Sequence, residues 1–175
     1  MPVHNSHCSY CGTAYPDGAP WPRKCANCGE TTWLNPTPVA LVMMPVIGED
    51  GRTGLLTVRR GIEPQLGEVG LPGGFIEEGE TWQQAAVREL REETGLRADE
   101  SEVELADVLS APRFVILVFG RIKPRPIADL AGLTPEKVFA LSNGETQELV
   151  VIDHAQPLAF PLHTEMANRF FAETR

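Results

Sequence analysis

The stretch that decides the fold reads GFIEEGETWQQAAVRELREETGL and occupies residues 74–96. Thr81, followed three positions later by Gln84, matches a capping box, the pattern that starts many helices. No proline or glycine interrupts residues 82–94, and Gly95 stands where a left-handed residue commonly ends a helix. The sequence therefore predicts a helix over residues 82–94.

Three acidic side chains share one face of this predicted helix. At about 100° per residue, Glu89, Glu92 and Glu93 project within about 100° of one another. Like charges at this spacing weaken a helix by about 0.2–0.5 kcal/mol per pair, so helix stability does not explain them. Carboxylate oxygens suit Mg²⁺ or Mn²⁺, and the neighbouring Arg88 and Arg91 can orient the carboxylates. This face is a candidate metal site, with a solvated charged helix face as the alternative.

Residues 74–96 also resemble the Nudix box, so we call this segment the box. The family pattern is Gly, five residues, Glu, seven residues, and then Arg-Glu-apolar-any-Glu-Glu-any-Gly-apolar. Each of its defined positions is occupied, by Gly74, Glu80, Arg88, Glu89, Leu90, Glu92, Glu93, Gly95 and Leu96. The resemblance implies a metal-dependent hydrolase that cleaves a diphosphate linked to another moiety.

The resemblance implies roles for individual residues as well. It makes Glu89, Glu92 and Glu93 the ligands of Mg²⁺ or Mn²⁺, and it places the backbone of Gly74 beside the metal. Glu80 is then a supporting acid, and Arg88 is its orienting partner. The implied reaction is attack of water on phosphorus while a carboxylate removes a proton from that water.

A second acidic segment at residues 144–148 precedes a predicted strand. It resembles the acidic loop that many family members place opposite the box. Glu145 and Glu148 are therefore candidates for the general base. A box glutamate is their competitor, since family members differ in which acid takes the proton, and a solvated turn is the ordinary alternative.

The N-terminal region contains two Cys-x-x-Cys pairs, each followed by glycine: Cys8 with Cys11, and Cys25 with Cys28. This spacing is typical of a zinc ribbon, in which four thiolates hold one Zn²⁺. Because four thiolates leave no open coordination position, we expect the zinc to be structural. Two disulfides are the alternative. His4 and His7 are expected at the surface rather than as competing ligands.

The length and composition agree with a small appendage joined to one ordinary domain. Residues 1–36 are too few to bury a core without a metal, whereas the rest of a 175-residue chain with 42% apolar residues can do so. The proline-bearing residues 35–38 form the expected connector. We therefore predict a zinc ribbon at residues 1–36 and a Nudix hydrolase domain at residues 37–175.

Hydrophobic patterning places strands around the box. Apolar or alternating residues predict strands at 39–47, 55–59, 103–109, 114–122 and 149–152, and a loop at 123–135. Leu162, Met166 and Phe170 form the apolar stripe of a helix near the C-terminus. The predicted fold class is α/β with a mixed sheet, which the resemblance specifies as a Nudix α/β/α sandwich.

The formal charge of −9 and the pI near 4.9 argue against non-specific binding to nucleic acid or to an anionic membrane. The N-terminus lacks the basic and apolar regions of a secretory signal, and no apolar run is long enough to cross a bilayer. These patterns predict a cytoplasmic protein without a membrane partner. The resemblance further implies a homodimer.

The substrate is less clearly indicated by the residues. A ribbon joined to a Nudix domain resembles NADH pyrophosphatases, and also FAD, ADP-ribose and sugar-nucleotide hydrolases. NADH enzymes carry Ser-Gln-Pro-Trp-Pro-Phe-Pro after the box, whereas residues 110–114 read SAPRF, with Arg113 in place of the tryptophan. Arg59 or Arg60 could approach a substrate phosphate, and His163 is expected to cap or pack. The alternatives are a nucleoside triphosphate pyrophosphatase and a non-catalytic nucleotide sensor.

Overall fold

The computed structural model describes residues 5–174, which form two compact units, one ending at Pro36 and the other beginning at Thr37. In the first unit, strand β1 (Arg23–Lys24) pairs antiparallel with β2 (Thr31–Thr32). Because these strands are so short, the loops that carry the cysteines are the main feature of the unit.

The second unit contains most of the regular structure. Its strands are β3 (Thr37–Met43), β4 (Pro45–Ile47), β5 (Thr53–Arg60), β6 (Val69–Gly70), β7 (Gly73–Phe75), β8 (Glu104–Ala111), β9 (Val115–Arg121), β10 (Arg125–Pro126) and β11 (Thr146–Ile152). Its helices are α1 (Trp82–Thr94), α2 (Pro135–Leu141) and α3 (Pro161–Glu173), with 3₁₀ turns at Glu100–Glu102 and Ile127–Leu130.

The strands of this unit form two mixed sheets. One has the order β7-β3-β9-β8, in which only β3 and β9 run parallel. The other has the order β10-β4-β5-β11, with β6 also paired to β5, and only β10 and β4 run parallel. The expectation of a mixed sheet is confirmed.

Strand β3 divides the core into two layers because its side chains alternate between the faces of the sheet. Leu41 and Met43 join a cluster with Met166, Ala167, Phe170 and Phe171 of α3. Ala40 and Val42 join a second cluster with Ala85, Ala86 and Leu90 of α1. The two long helices therefore cover opposite faces, which confirms the α/β/α sandwich.

Three local predictions were wrong. The apolar run at residues 39–47 is broken at Met44 into β3 and β4, which belong to different sheets. The predicted loop at residues 123–135 contains β10 and a 3₁₀ turn, and α2 begins at its last residue. The expected acidic loop at residues 144–148 is in part strand, since β11 begins at Thr146.

No helix within residues 5–174 is both long enough and apolar enough to span a bilayer.

Candidate active site and cysteine cluster

Helix α1 carries the box acids, and its ends follow from local residues. The Thr81 hydroxyl accepts a hydrogen bond from the Gln84 N–H at 3.2 Å, and the Gln84 side chain accepts one from the Thr81 N–H at 2.9 Å. Gly95 has φ of 79° and donates its N–H to Arg91 O at 2.8 Å. The predicted helix and both of its caps are confirmed.

Glu93 is the most buried acid of the box, with 8% of its surface exposed. One oxygen, Oε2, accepts a hydrogen bond from the N–H of Gly73 at 2.9 Å. Burial raises the pKa of Glu93 to about 8, and repulsion from Glu89 and Glu145 acts in the same direction. The loop before the helix thus holds a carboxylate where a negative charge is costly.

Glu89 lies against the same loop, one helical turn earlier. Burial raises its pKa, with further contributions from Glu92 and Glu145. A Cβ atom placed on Gly74 would lie 2.4 Å from Oε1 of Glu89, closer than real Cβ contacts. Glycine at position 74 is therefore what lets the loop backbone approach this carboxylate.

Arg88 forms hydrogen bonds both with box acids and with the backbone of the loop before α1. Its Nε and Nη2 donate to the two oxygens of Glu80 at 2.7 and 3.1 Å, and Nη2 also donates to Phe75 O at 2.9 Å. Its Nη1 donates to Glu89 Oε1 at 2.7 Å. Hydrogen bonding from Arg88 lowers the pKa of Glu80, and Glu80 in turn raises that of Arg88. The structure places Glu80 and Arg88 together as the resemblance implies.

Glu92 is more exposed than the other two acids of the helix face. Its oxygens accept hydrogen bonds from Arg88 Nη1 at 3.1 Å and from Arg91 Nη2 at 3.0 Å. Both arginines thus contact the carboxylates from the flank of the helix.

The two acids proposed as general bases lie in different surroundings. Glu145 is close enough to raise the pKa values of both Glu89 and Glu93. Glu148 instead accepts a hydrogen bond from Arg59 Nε at 2.7 Å. A β-bulge between Thr146 and Glu148 shifts the register of β11 against β5. Electrostatic repulsion thus links Glu145, rather than Glu148, to the box acids.

The donor set of this region fits a hard divalent cation. Glu89, Glu92 and Glu93 offer only oxygen atoms, and two of them have raised pKa values that a nearby cation would offset. Within residues 5–174, only the cysteines bring three or more candidate ligand atoms within 4.8 Å of one another. The box carboxylates are spread more widely, and Arg88 contacts Glu89 and Glu92 as well as Glu80.

The four cysteines converge in the first unit. Cys8 Sγ and Cys28 Sγ are 3.7 Å apart, and Cys11 Sγ and Cys25 Sγ are 3.6 Å apart. Tetrahedral Zn–S bonds of about 2.3 Å place sulfurs about 3.8 Å apart, whereas a disulfide places them about 2.05 Å apart. All four thiols are free. The cluster therefore fits the zinc expectation and not the disulfide alternative.

Each pair of cysteines sits in the same kind of turn. Gly12 donates its N–H to Cys8 O at 2.9 Å, and Gly29 donates its N–H to Cys25 O at 3.0 Å. Hydrogen bonds with Thr13 and then Asn27 lower the pKa of Cys11 to about 5, which favours the thiolate that zinc requires.

The candidate metal cluster found among the described residues consists of the four cysteines and does not include His7. His7 is exposed and its Nδ1 lies 2.9 Å from Ser6 Oγ. His4 lies outside the described residues.

Four further residues named from the sequence occupy distinct settings. Arg59 is paired with Glu148, whereas Arg60 donates from Nε to Pro64 O at 2.9 Å and lies 5.2 Å over the Phe160 ring. Arg113 and Phe114 have φ of 63° and 60° in the turn between β8 and β9, and Phe114 is exposed. Arg113 thus lies in a turn between two strands.

Sequence reasoning missed two contacts of the loop before α1. One is the bond from Gly73 N–H to Glu93, and the other is the bond from Leu71 N–H to His163 Nδ1 at 3.2 Å. The pair of glycines at positions 73 and 74 was a signal of close backbone approach to some side chain. Nothing local signalled the second contact, which joins residues 92 positions apart.

Comparisons with known proteins find a family match over most of the chain. The model of the NUDIX domain family matches residues 36–161. An ADP-ribose pyrophosphatase of Methanocaldococcus jannaschii is 43% identical over 60 residues, which are 32% of this chain and 36% of that protein. The NAD-capped RNA hydrolase NudC of Shigella flexneri is 30% identical over 94 residues, which are 53% of this chain and 34% of that protein. The matches span about a third of each relative's length.

A solved structure of similar length gives a wider match. The NUDIX hydrolase from Nitrosomonas europaea superposes with a TM-score of 0.66 at 24% identity, covering 96% of this chain and 91% of that chain. At this identity the likeness shows the fold alone.

Proposed function

The chain belongs to the NUDIX domain family, and on this premise we propose that it is a divalent-metal-dependent pyrophosphohydrolase. The proposed substrate is a nucleoside diphosphate linked to another moiety. ADP-ribose leads the candidates, followed by dinucleotides of the NADH and FAD type and by sugar nucleotides. One relative, which aligns with a third of this chain, is an ADP-ribose pyrophosphatase, and this supports that order.

One observation carries the proposal. Glu93 and Glu89 are placed side by side against the Gly73–Gly74 backbone, and their pKa values are both raised. Two acids placed in this way are stabilised in their ionised form when a positive charge joins them. A divalent cation that also binds phosphate oxygens meets that requirement.

We assign the metal to the carboxylates of Glu89, Glu92 and Glu93, beside the backbone of Gly74. When bound, Mg²⁺ or Mn²⁺ neutralises the diphosphate oxygens and stabilises the charge that develops on the leaving phosphate. Arg88 holds Glu89 and Glu92 by ion pairs of 2.7 and 3.1 Å, so it orients two of the assigned ligands. Glu80 fixes the guanidinium of Arg88 by two hydrogen bonds.

The reaction is hydrolysis by direct substitution. A water oxygen forms a bond to one phosphorus, the bond from that phosphorus to the bridging oxygen breaks, and two phosphate monoesters leave. We assign removal of the water's proton to Glu145, because it lies near both Glu89 and Glu93. Glu148 is the weaker candidate, since Arg59 already engages its carboxylate.

Arg60 is the best placed of the two neighbouring arginines to meet the substrate. Arg59 donates to Glu148 and to Gly67 O, whereas Arg60 forms no ion pair among residues 5–174. Its charge is near enough to Glu93 to lower the pKa of that residue slightly against the dominant effect of burial. We assign to Arg60 a contact with the diphosphate.

The cysteine cluster has a separate proposed role. We assign Cys8, Cys11, Cys25 and Cys28 to one structural Zn²⁺ that stabilises a ribbon at residues 1–36, and the hydrolase domain to residues 37–175. The sulfur spacings of 3.6 and 3.7 Å support the zinc site.

A substrate panel tests the proposed function. Purified protein with Mg²⁺ is incubated with ADP-ribose, NADH, FAD, a sugar nucleotide and a nucleoside triphosphate, and the products are separated by chromatography. We expect ADP-ribose to yield AMP and ribose 5-phosphate. The matched control is Glu93→Gln, which keeps the size of the side chain and removes its charge.

The panel also separates the alternatives. Release of inorganic pyrophosphate from the triphosphate alone would replace the proposal with a triphosphate pyrophosphatase. Tight binding of one ligand without any product would replace it with a sensor.

A further inference from the structure

His163 is a buried histidine in the first turn of α3, with 6% of its surface exposed. It packs against the rings of Phe160 and Phe119, at centroid distances of 5.0 and 6.3 Å. Its Nδ1 accepts a hydrogen bond from the N–H of Leu71 at 3.2 Å. This imidazole therefore touches the loop that precedes α1 from the opposite helix.

A second bond joins the same two segments. Ala159 donates its N–H to Val69 O at 2.7 Å, just before α3 begins. A Cβ on Gly70 would lie 3.6 Å from His163 Nδ1, so the loop passes directly over the ring. We call these contacts, from Ala159 and His163 to Val69 and Leu71, the loop clamp.

The loop clamp lies two residues from the contact that holds Glu93. Leu71 is followed by Pro72, which has no N–H to donate, and then by Gly73, whose N–H binds Glu93 Oε2 at 2.9 Å. Only Pro72 separates the two contacts, so we expect a shift of Leu71 to be transmitted to the Gly73 N–H, against the restraint of the bond from Val42 N–H to Pro72 O at 2.8 Å. Gly74, whose backbone lies against Glu89, follows directly.

The imidazole can accept this bond only in its neutral form, with the proton on Nε2. Burial lowers the pKa of His163 to about 4, and the nearby Arg60 charge acts in the same direction. The acceptor is thus available throughout the neutral pH range.

We propose that His163 is a positioning residue for the metal site: through Leu71 it sets the loop backbone that presents Gly73 and Gly74 to Glu93 and Glu89. The proposal rests on the proposed function, because it assumes that these acids hold the metal. His163 does not meet the substrate in this account. It acts on the metal ligands only through the backbone of the loop.

The test compares three substitutions of this side chain. His163→Asn keeps an oxygen acceptor near the place of Nδ1, His163→Gln moves the acceptor about one bond further out, and His163→Leu removes it. Each full-length variant is titrated with Mn²⁺ while free Mn²⁺ is followed by electron paramagnetic resonance, and its unfolding midpoint is measured in parallel. His154→Gln, at an exposed histidine, is the control.

We expect His163→Gln and His163→Leu to weaken Mn²⁺ affinity by about 10-fold or more, as loss of a group that supports a metal ligand typically does, and His163→Asn to retain most of it. Equal Mn²⁺ affinity in all variants, even with lower unfolding midpoints, would overturn the proposal and leave His163 a packing residue. Equal weakening by His163→Asn and His163→Gln would also overturn it, because the acceptor would then not be the cause.

The readout separates this inference from the proposed function. Wild-type protein that binds Mn²⁺ but hydrolyses no member of the substrate panel would contradict the proposed function and leave the comparison of the His163 variants valid. Wild-type protein that binds no Mn²⁺ would contradict both.

Discussion

At the scale of single residues, the site depends on backbone atoms as much as on charged side chains. Glu93 accepts a hydrogen bond from the N–H of Gly73, and the Glu89 carboxylate occupies the space that a side chain at position 74 would need. Buried acids of this kind are normally paired or protonated, since burial disfavours the charged form. The positions of the two carboxylates therefore depend on the two glycines as well as on the helix.

Gly74→Ala should separate activity from stability. The added Cβ would meet the carboxylate of Glu89, which is the far end of a flexible side chain and can move aside. We expect the free energy of unfolding to change by about 1 kcal/mol or less, as for most substitutions without a backbone clash, while hydrolysis falls at least about 10-fold.

Gly48→Ala is a matched control for this prediction. Its Cβ would also meet a carboxylate oxygen, that of Asp50 at 2.9 Å, but in an exposed turn remote from the box in sequence. Urea unfolding and the rate of hydrolysis are measured for both variants. Equal rates in the two variants would show that close approach at position 74 is unimportant.

His163 should make the stability of the protein depend on pH in a defined window. Its pKa is about 4 in the folded chain and about 6.5 in an unfolded one, so only the unfolded chain takes up this proton between those values. The contribution is therefore complete above pH 6.5 and is lost as the pH falls towards 4. Between pH 7.5 and pH 5 the loss amounts to about 2 kcal/mol.

Urea unfolding of the wild type and of His163→Gln at these two pH values measures the difference. All other titrating groups are common to both proteins, so they cancel in the comparison. The wild type should lose about 2 kcal/mol more than the variant on acidification. Parallel losses would mean that the imidazole is protonated in the folded chain.

At the scale of elements, helix α1 carries the box acids, and its own residues determine where it begins and ends. Its capping box is complete, and its closing glycine has the left-handed conformation that the position requires. Its buried face, with Ala85, Ala86 and Leu90, packs on β3 and β5 through one core layer. The acids therefore stand on an element fixed by caps at both ends and by packing along its length.

Thr81→Ala should lower the free energy of unfolding by about 1 kcal/mol, because the N–H of Gln84 loses its acceptor. Glu89 and Glu93 lie two or more turns from this end of the helix, so the rate at saturating Mg²⁺ should stay unchanged. Thr81→Ser keeps the hydroxyl and should retain most of the stability. Urea unfolding and initial rates test both variants, and a large fall in rate with unchanged stability would contradict this view.

The elements also show which features a sequence can predict. Helix α1 was predictable because its start and end signals lie within its own residues. Helix α2 carried a signal too, Thr134 before Pro135, which is a helix-start pattern that the long loop assignment overlooked. The break at Met44 had only Pro45 as a local sign, since Pro cannot donate to a central ladder.

The difference between Glu145 and Glu148 was not predictable from the residues. It follows from the β-bulge in β11 and from the pairing of Glu148 with Arg59, 89 positions away in the chain. The same holds for His163, whose proposed role depends on a contact between α3 and the loop before α1. Long-range register and packing decide such placements, and no local pattern encodes them.

At the scale of the whole molecule, the chain combines a small unit that carries the cysteine cluster with a unit that has its own core. The described residues of the first unit contain two short strands, an isolated bridge between His7 and Ala14, and two cysteine turns. A unit of this size cannot bury enough apolar surface alone, so we expect the proposed zinc to supply much of its folding free energy. The second unit has two core layers and needs no such ion for its fold.

Zinc content should therefore depend on the cysteines alone. The purified chain should contain about one zinc per molecule, and Cys8→Ser should lose it together with the order of the first unit, since structural zinc sites are four-coordinate. Tyr10→Phe, in the same turn and exposed, is the control and should keep the metal. Elemental analysis and the dispersion of amide signals by nuclear magnetic resonance measure both effects. Full zinc content in Cys8→Ser would contradict the assignment.

The central claim is that the acids of α1 hold a divalent cation on which hydrolysis depends. The most direct test measures AMP release from ADP-ribose across a Mg²⁺ titration, for the wild type and for the triple variant Glu89→Gln, Glu92→Gln and Glu93→Gln. Rate should rise with Mg²⁺ only in the wild type, and neutralising the acids should cost at least about 100-fold, the loss expected when several kcal/mol of metal stabilisation disappears. Undiminished hydrolysis by the triple variant, or by the wild type in excess chelator, would contradict the account.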